Sequence, residues 1–159
     1  MEKNTCCFTG HRKIPNTLRK KIIENTKKIA EELILQGFCT FFTGGAFGYD
    51  LLCSEIILEL KKKYPFVKLK IVLPCKDNDK FFPENVKSRY SLVLDKADDV
   101  ILLSDKYYFA GCMQIRNKYM VNSSSALICF CLQNKGGSFF TKNYAKSKNL
   151  TIYDVLDLD

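Results

Sequence analysis

The sequence is poor in the residues that most often announce a function. It holds one histidine, His11, and none of its eight cysteines stands in a Cys-x-x-Cys pair, so the spacing of structural zinc sites is missing and no metal is expected. Eight glycines and four prolines can punctuate a fold but cannot make a low-complexity chain. Long apolar runs are also lacking. The longest uncharged stretch, Leu33 to Tyr49, is cut by Gln36, Gly37, Thr40, Thr43 and three further glycines, short of the ~20 mostly apolar residues that cross a bilayer as a helix. Met1-Glu2-Lys3-Asn4 leads into only a brief apolar stretch before His11-Arg12-Lys13, without the apolar centre of a signal peptide. A cytoplasmic protein with no membrane partner is expected, its cysteines reduced and buried as small hydrophobes within apolar runs.

What is present fits one α/β domain over residues 1–159: 47% of residues are apolar and 26% charged. Lys and Arg exceed Asp and Glu by 25 to 17, a net charge of +8 that suits phosphate-bearing partners or serves solubility. Short apolar runs at Thr5–Thr9, Phe38–Thr43, Val67–Leu73, Val100–Leu103 and Ala126–Cys131 read as strands, with a last edge strand at Leu150–Tyr153. Between them lie helical patterns. One follows Pro15-Asn16-Thr17 and closes at Gly37; others span Asp50–Lys63, Pro83–Lys96 and Met113–Asn122, and the last opens at Gly136-Gly137 and runs through Tyr144-Ala145. Such alternation predicts a Rossmann-like three-layer sandwich, a mostly parallel sheet with helices on both faces. Ligands of such sheets bind outside the carboxyl ends of the strands, so the post-strand loops are the ones to inspect.

Three of these loops carry glycine: Thr9-Gly10-His11-Arg12, Thr43-Gly44-Gly45-Ala46-Phe47-Gly48-Tyr49-Asp50 and Lys135-Gly136-Gly137-Ser138. Glycine lets backbone N–H groups approach a phosphate, and each loop leads into a helix amino end, so an anion is expected at that edge of the sheet; each loop alone is equally a tight turn. Arg12 directly follows a strand-ending glycine and can grip a phosphate or carboxylate with its planar fork, or else make a surface ion pair. His11 is a candidate acid or base without a visible partner. Asp50 either caps its helix or contacts a ribose or base, while Glu55, one turn on, is a ligand contact or a solvated position. Arg89, and Arg116 with Asn117 near the end of the fourth strand, complete the candidate set; Arg116 is equally an exposed helix residue.

These motifs together resemble the YpsA-like proteins of the SLOG superfamily, which joins the Smf/DprA DNA-processing proteins with the LOG nucleotide hydrolases on a Rossmann-like fold. The resemblance spans nearly the whole chain and includes Arg116-Asn117-Lys118-Tyr119-Met120-Val121 and the Gly136-Gly137 turn with Tyr144-Ala145. Thr43, Gly44, Ala46, Gly48 and Asp50 satisfy each fixed position of the DprA branch, and Gly10 and Arg12 match its glycine and arginine after the first strand. The LOG branch fits less well. Thr43 stands for its proline, one extra residue precedes Gly48, Tyr49 stands for its threonine, and Leu52 occupies the place of its catalytic glutamate. The resemblance implies a bacterial or phage protein that binds a nucleotide or nucleotide-derived ligand, with a regulatory or sensing role linked to cell division and a homo-oligomeric state as in relatives. Two alternatives stay open: hydrolysis of a nucleotide N-glycosidic bond by Asp50 or Glu55, and DprA-like binding of single-stranded nucleic acid, for which Tyr107-Tyr108-Phe109 and Phe81-Phe82 would be stacking platforms. No cofactor is expected.

Overall fold

Six parallel strands form one sheet in the computed structural model, which describes residues 4–157. They are β1 (Thr5–Gly10), β2 (Thr40–Thr43), β3 (Lys68–Leu73), β4 (Asp99–Leu102), β5 (Ala126–Phe130) and β6 (Thr151–Asp154), in the spatial order β4-β3-β2-β1-β5-β6. Five helices connect them: α1 (Asn16–Leu35), α2 (Tyr49–Lys63), α3 (Glu84–Lys96), α4 (Cys112–Asn122) and α5 (Gly137–Ser147). The chain steps outward from β1 to β4, then crosses back to lay β5 against the other side of β1, with Cys7 opposite Leu127 and Thr9 opposite Cys129. The strand order therefore reverses between β1 and β5, the point at which open α/β sheets bind ligands.

The period of two along each strand sorts the core into two layers. Cys6, Phe8, Phe41, Leu69, Ile71 and Ile128 face α1, α2 and α3, while Cys7, Phe42, Val72, Leu127 and Cys129 face α4 and α5. Both faces of β1 and β5 are covered, which is why each reads in sequence as an unbroken apolar run rather than an alternation. Six of the cysteines are buried, and burial pushes the Cys6 thiol well up and those of Cys7 and Cys129 to about 12. Among the described residues no helix is long and apolar enough to cross a membrane.

The expected elements are all present, with shifts at their ends. β2 begins at Thr40 rather than Phe38 because Phe38 still belongs to the end of α1: its N–H donates to the Leu33 carbonyl at 3.0 Å, around Gly37 at φ 105°. Pro83 is the residue before α3, so the helix runs from Glu84.

One packing contact places the functional edge. Tyr49, the first residue of α2, is fully buried, its hydroxyl 2.8 Å from that of Thr26 on α1 and its ring against the end of β1. A Cβ on Gly10 would lie 2.3 Å from the ring carbon Cδ2, and the Tyr49 N–H donates to the His11 carbonyl at 3.1 Å. Gly48, at φ 82°, is equally constrained, since a Cβ there would lie 2.2 Å from the Arg12 carbonyl oxygen. The loops after β1 and β2 are thereby pressed together. Gly10→Ala is expected to cost about 1–3 kcal/mol through overpacking against Tyr49, read as a lowered denaturant midpoint; an unchanged midpoint would contradict this account of the contact.

Candidate functional site

Where the two loops meet, a cavity of about 290 Å³ opens at the carboxyl ends of the strands. The β1 exit loop contributes Thr9, Gly10, His11 and Arg12, and the β2 exit turn contributes Ala46 and Asp50. Across from them, α4 supplies Met113, Arg116 and Asn117, which share one helix face at spacings of three and four. Gly137 and Ser138 bring the amino end of α5, with its partial positive charge, to the same rim.

Arg116 lies at the bottom of this arrangement, only 5% exposed. Its Nη1 donates to the Gly44 carbonyl, its Nε donates to Asn117 Oδ1 at 2.7 Å, and Nη2 faces Met113 Sδ at 3.6 Å. Asp50 is buried beside it and accepts the Ala46 N–H at 3.4 Å. Gly44 is what lets the two charges sit together, because a Cβ there would lie 2.7 Å from both Arg116 Nη1 and Asp50 Oδ2. Burial raises the Asp50 carboxyl above its ordinary value, against the opposing pull of Arg116, the Ala46 N–H and Arg12. Burial likewise lowers Arg116, against the support of Asp50. Arg12 completes the charge set from the rim: it is exposed, makes no ion pair among the described residues, and lies with Cζ 5.2 Å over the Phe47 ring. Two guanidiniums and one carboxylate leave a net positive cavity when all are ionised.

The candidate residues thus separate by position. Gly10, His11, Arg12, Asp50, Arg116, Asn117 and Gly137 line the cavity. Gly44 lies beneath it, and Gly45, at φ 71°, seats the turn on β3, where a Cβ would lie 2.5 Å from Leu73 Cδ2. Gly136, at φ 89°, precedes α5 with nothing within 4 Å of a Cβ. Glu55 and Arg89 are not brought to the cavity. They pair with each other across α2 and α3, Arg89 Nε donating to Glu55 Oε2 at 3.1 Å, with half-exposed side chains. The reason is helix phase, since five residues turn an α-helix by about 140° from Asp50. Leu52 is buried in the core. Thr9, Ala46 and Ser138 join the cavity wall from within the three glycine-bearing loops, and Met113, one turn before Arg116, joins it from α4, where helix spacing is the available sequence signal.

His11 holds the cavity's two sides together. The Leu132 N–H, just past β5, donates to His11 Nε2 at 2.8 Å, and the imidazole meets Phe130 edge-on at 5.1 Å. An accepting Nε2 requires the neutral ring with its proton on Nδ1. Partial burial lowers the His11 pKa from its ordinary value, so the folded chain takes up this proton less readily than the unfolded one. The stability this provides is complete above the unfolded histidine value of about 6.5 and is lost as pH falls from there through the folded value. Amide exchange at Leu132 is therefore expected to accelerate, beyond its intrinsic pH dependence, as the solution is acidified below about pH 6; a His11→Gln variant showing the same acid-dependent change would contradict the assignment.

A parallel sheet with its cavity at the strand reversal defines a Rossmann-like α/β protein. The family model described as the YspA SLOG family matches residues 5–158, and the chain belongs to that family. The uncharacterized SPbeta prophage-derived protein YoqJ of Bacillus subtilis is 33% identical over 147 residues, covering 85% of this chain and 86% of that protein. A UPF0398 protein of Halalkalibacterium halodurans is 25% identical over 136 residues, covering 81% of this chain and 72% of the relative. Among solved structures, DNA processing protein A of Helicobacter pylori, described with a unique single-stranded DNA binding mode, superposes with TM-score 0.68 at 17% identity. DNA processing protein A of Streptococcus pneumoniae gives TM-score 0.70 at 15% identity. Each superposition takes in 94% of this chain, which spans 64% and 49% of those two chains; the likeness is one of fold.

Proposed function

We propose that the cavity binds a nucleotide or nucleotide-derived ligand through its phosphate, and that the protein acts as a regulatory or sensing protein in the bacterial cytoplasm. The observation that carries this reading is the convergence of Arg12 and buried Arg116 with the α5 amino end on one cavity that also holds the Asp50 carboxylate. Guanidinium forks and helix N–H groups suit a phosphate, while a carboxylate suits the hydroxyls of a ribose. Membership of the SLOG family supports a ligand at this edge of the sheet. Hydrolysis of an N-glycosidic bond would have to use Asp50, because Glu55 is engaged with Arg89 away from the cavity.

The test is calorimetric titration with nucleoside mono- and diphosphates, ADP-ribose and ribose 5-phosphate. Arg12→Ala, at an exposed side chain, is expected to weaken binding about tenfold or more at unchanged stability, the loss of a charge-assisted hydrogen bond. Binding as tight as wild type would count against the site. Gly44→Ala is expected to weaken binding as well, by displacing Arg116 and Asp50 from their shared position.

A second reading, single-stranded nucleic acid, is favoured by the fold shared with the Helicobacter pylori protein and by exposed Tyr107, 71% accessible, on a chain of net charge +8. It predicts retardation of single-stranded DNA that weakens steeply with salt; salt-independent or absent retardation contradicts it.

A further inference from the structure

A second cleft of about 290 Å³ adjoins the cavity, and Arg12 and Met113 belong to the walls of both. The two halves differ in chemistry. The first is lined by arginine, aspartate, asparagine and backbone; the second is lined by Phe47, Phe81, Phe82 and Tyr108, with Asn78 among its walls. Each alone is at the small end of ligand cavities, which start near 300 Å³, so a ligand of more than one part would extend from one into the other.

We propose, resting on the nucleotide reading above, that the base of the ligand lodges in this aromatic cleft while its phosphate stays at Arg12 and Arg116. Phe82 is held in place, edge-on to Phe47 at 5.2 Å and to Tyr90 at 5.0 Å. Phe81 and Tyr108, by contrast, are 86% and 61% exposed, and Phe81 carries the Lys80 ammonium 5.4 Å over its ring. Their loops are tied to each other: the Tyr108 N–H donates to Asp77 Oδ1 at 2.8 Å and the Lys76 N–H to the Lys106 carbonyl at 3.0 Å. A planar base is the group that such rings recognise, because every base offers a π-face.

Asn78 adds a polar feature to the same cleft. Its Nδ2 donates to the Gly45 carbonyl at 2.7 Å and to the Tyr90 hydroxyl at 3.2 Å, which fixes the amide orientation. Its Oδ1 is a buried side-chain acceptor without a partner among the described residues. Arg12, stacked on Phe47 at the boundary, is placed to contact both ends of such a ligand.

The experiment is calorimetry of wild type and a Phe81→Ala/Tyr108→Ala double variant with the four ribonucleoside monophosphates and with ribose 5-phosphate. Both side chains are exposed, so the core is untouched. At least one monophosphate is expected to bind wild type about ten- to hundredfold more tightly than ribose 5-phosphate. That advantage should disappear in the double variant while ribose 5-phosphate binding holds. If no monophosphate exceeds ribose 5-phosphate, or if the advantage survives both substitutions, the base site is overturned and the phosphate site stands. If no probe binds wild type, the phosphate reading fails and the base site with it. A 5′-phosphorylated oligonucleotide distinguishes the source of the base: tighter binding than the monophosphates, lost in the double variant, assigns the cleft to a strand end, and weaker binding assigns it to a free nucleotide.

Discussion

The burial of a guanidinium at the carboxyl edge of the sheet is the constraint on which the rest of the site depends. Arg116 is too deep to be hydrated freely, so one Nη1 donor goes to the Gly44 carbonyl and Nε to Asn117, Asp50 offsets its charge, and the remaining N–H groups of the fork are left for a ligand. That arrangement is possible only where position 44 lacks a side chain. It joins α4 to the β2 exit turn, and Tyr49 in turn joins that turn to the end of β1. Anchoring the arginine and closing the loops around the cavity are one structural event.

Burial also decides what the cavity can do. A solvated arginine is a weak and mobile partner for an anion, whereas one held by fixed acceptors has lost its conformational entropy before any ligand arrives. Asp50 plays a double part. It keeps Arg116 from being an uncompensated buried charge, and it offers an acceptor that a simple phosphate does not use. A ligand carrying both an anion and hydroxyls uses both groups, which is the chemical argument for a sugar phosphate over an inorganic anion.

The fold was legible because its strands are short apolar runs buried on both faces and its helices carry a clear period, so the alternation admitted one architecture. Parts of the site were legible for a related reason: glycine and arginine at strand ends mark the edge where loops converge. The reasons behind the glycines were not. In sequence Gly10 and Gly48 look like room for a phosphate, yet the atoms that need their space are the Tyr49 ring and the Arg12 carbonyl. Glu55 is close to Asp50 in sequence, but nearness in sequence does not give helix phase, and Arg89 on α3 pairs with Glu55 instead of facing the cavity. Asn78 had no local signal, since its role comes from Gly45 and Tyr90, which only the folded chain brings to it.

In the proposed site, turns from β1, β2 and β5 and the first turns of α4 receive one anionic ligand together. Backbone amide mapping by NMR during titration with ribose 5-phosphate and nucleoside monophosphates tests it most directly. Gly10, Arg12, Ala46, Asn117, Gly137 and Ser138 are expected to shift together along one saturating curve, with the Arg116 Nε–H signal. Shifts confined to a single loop, or to exposed lysines distant from the cavity, would contradict it.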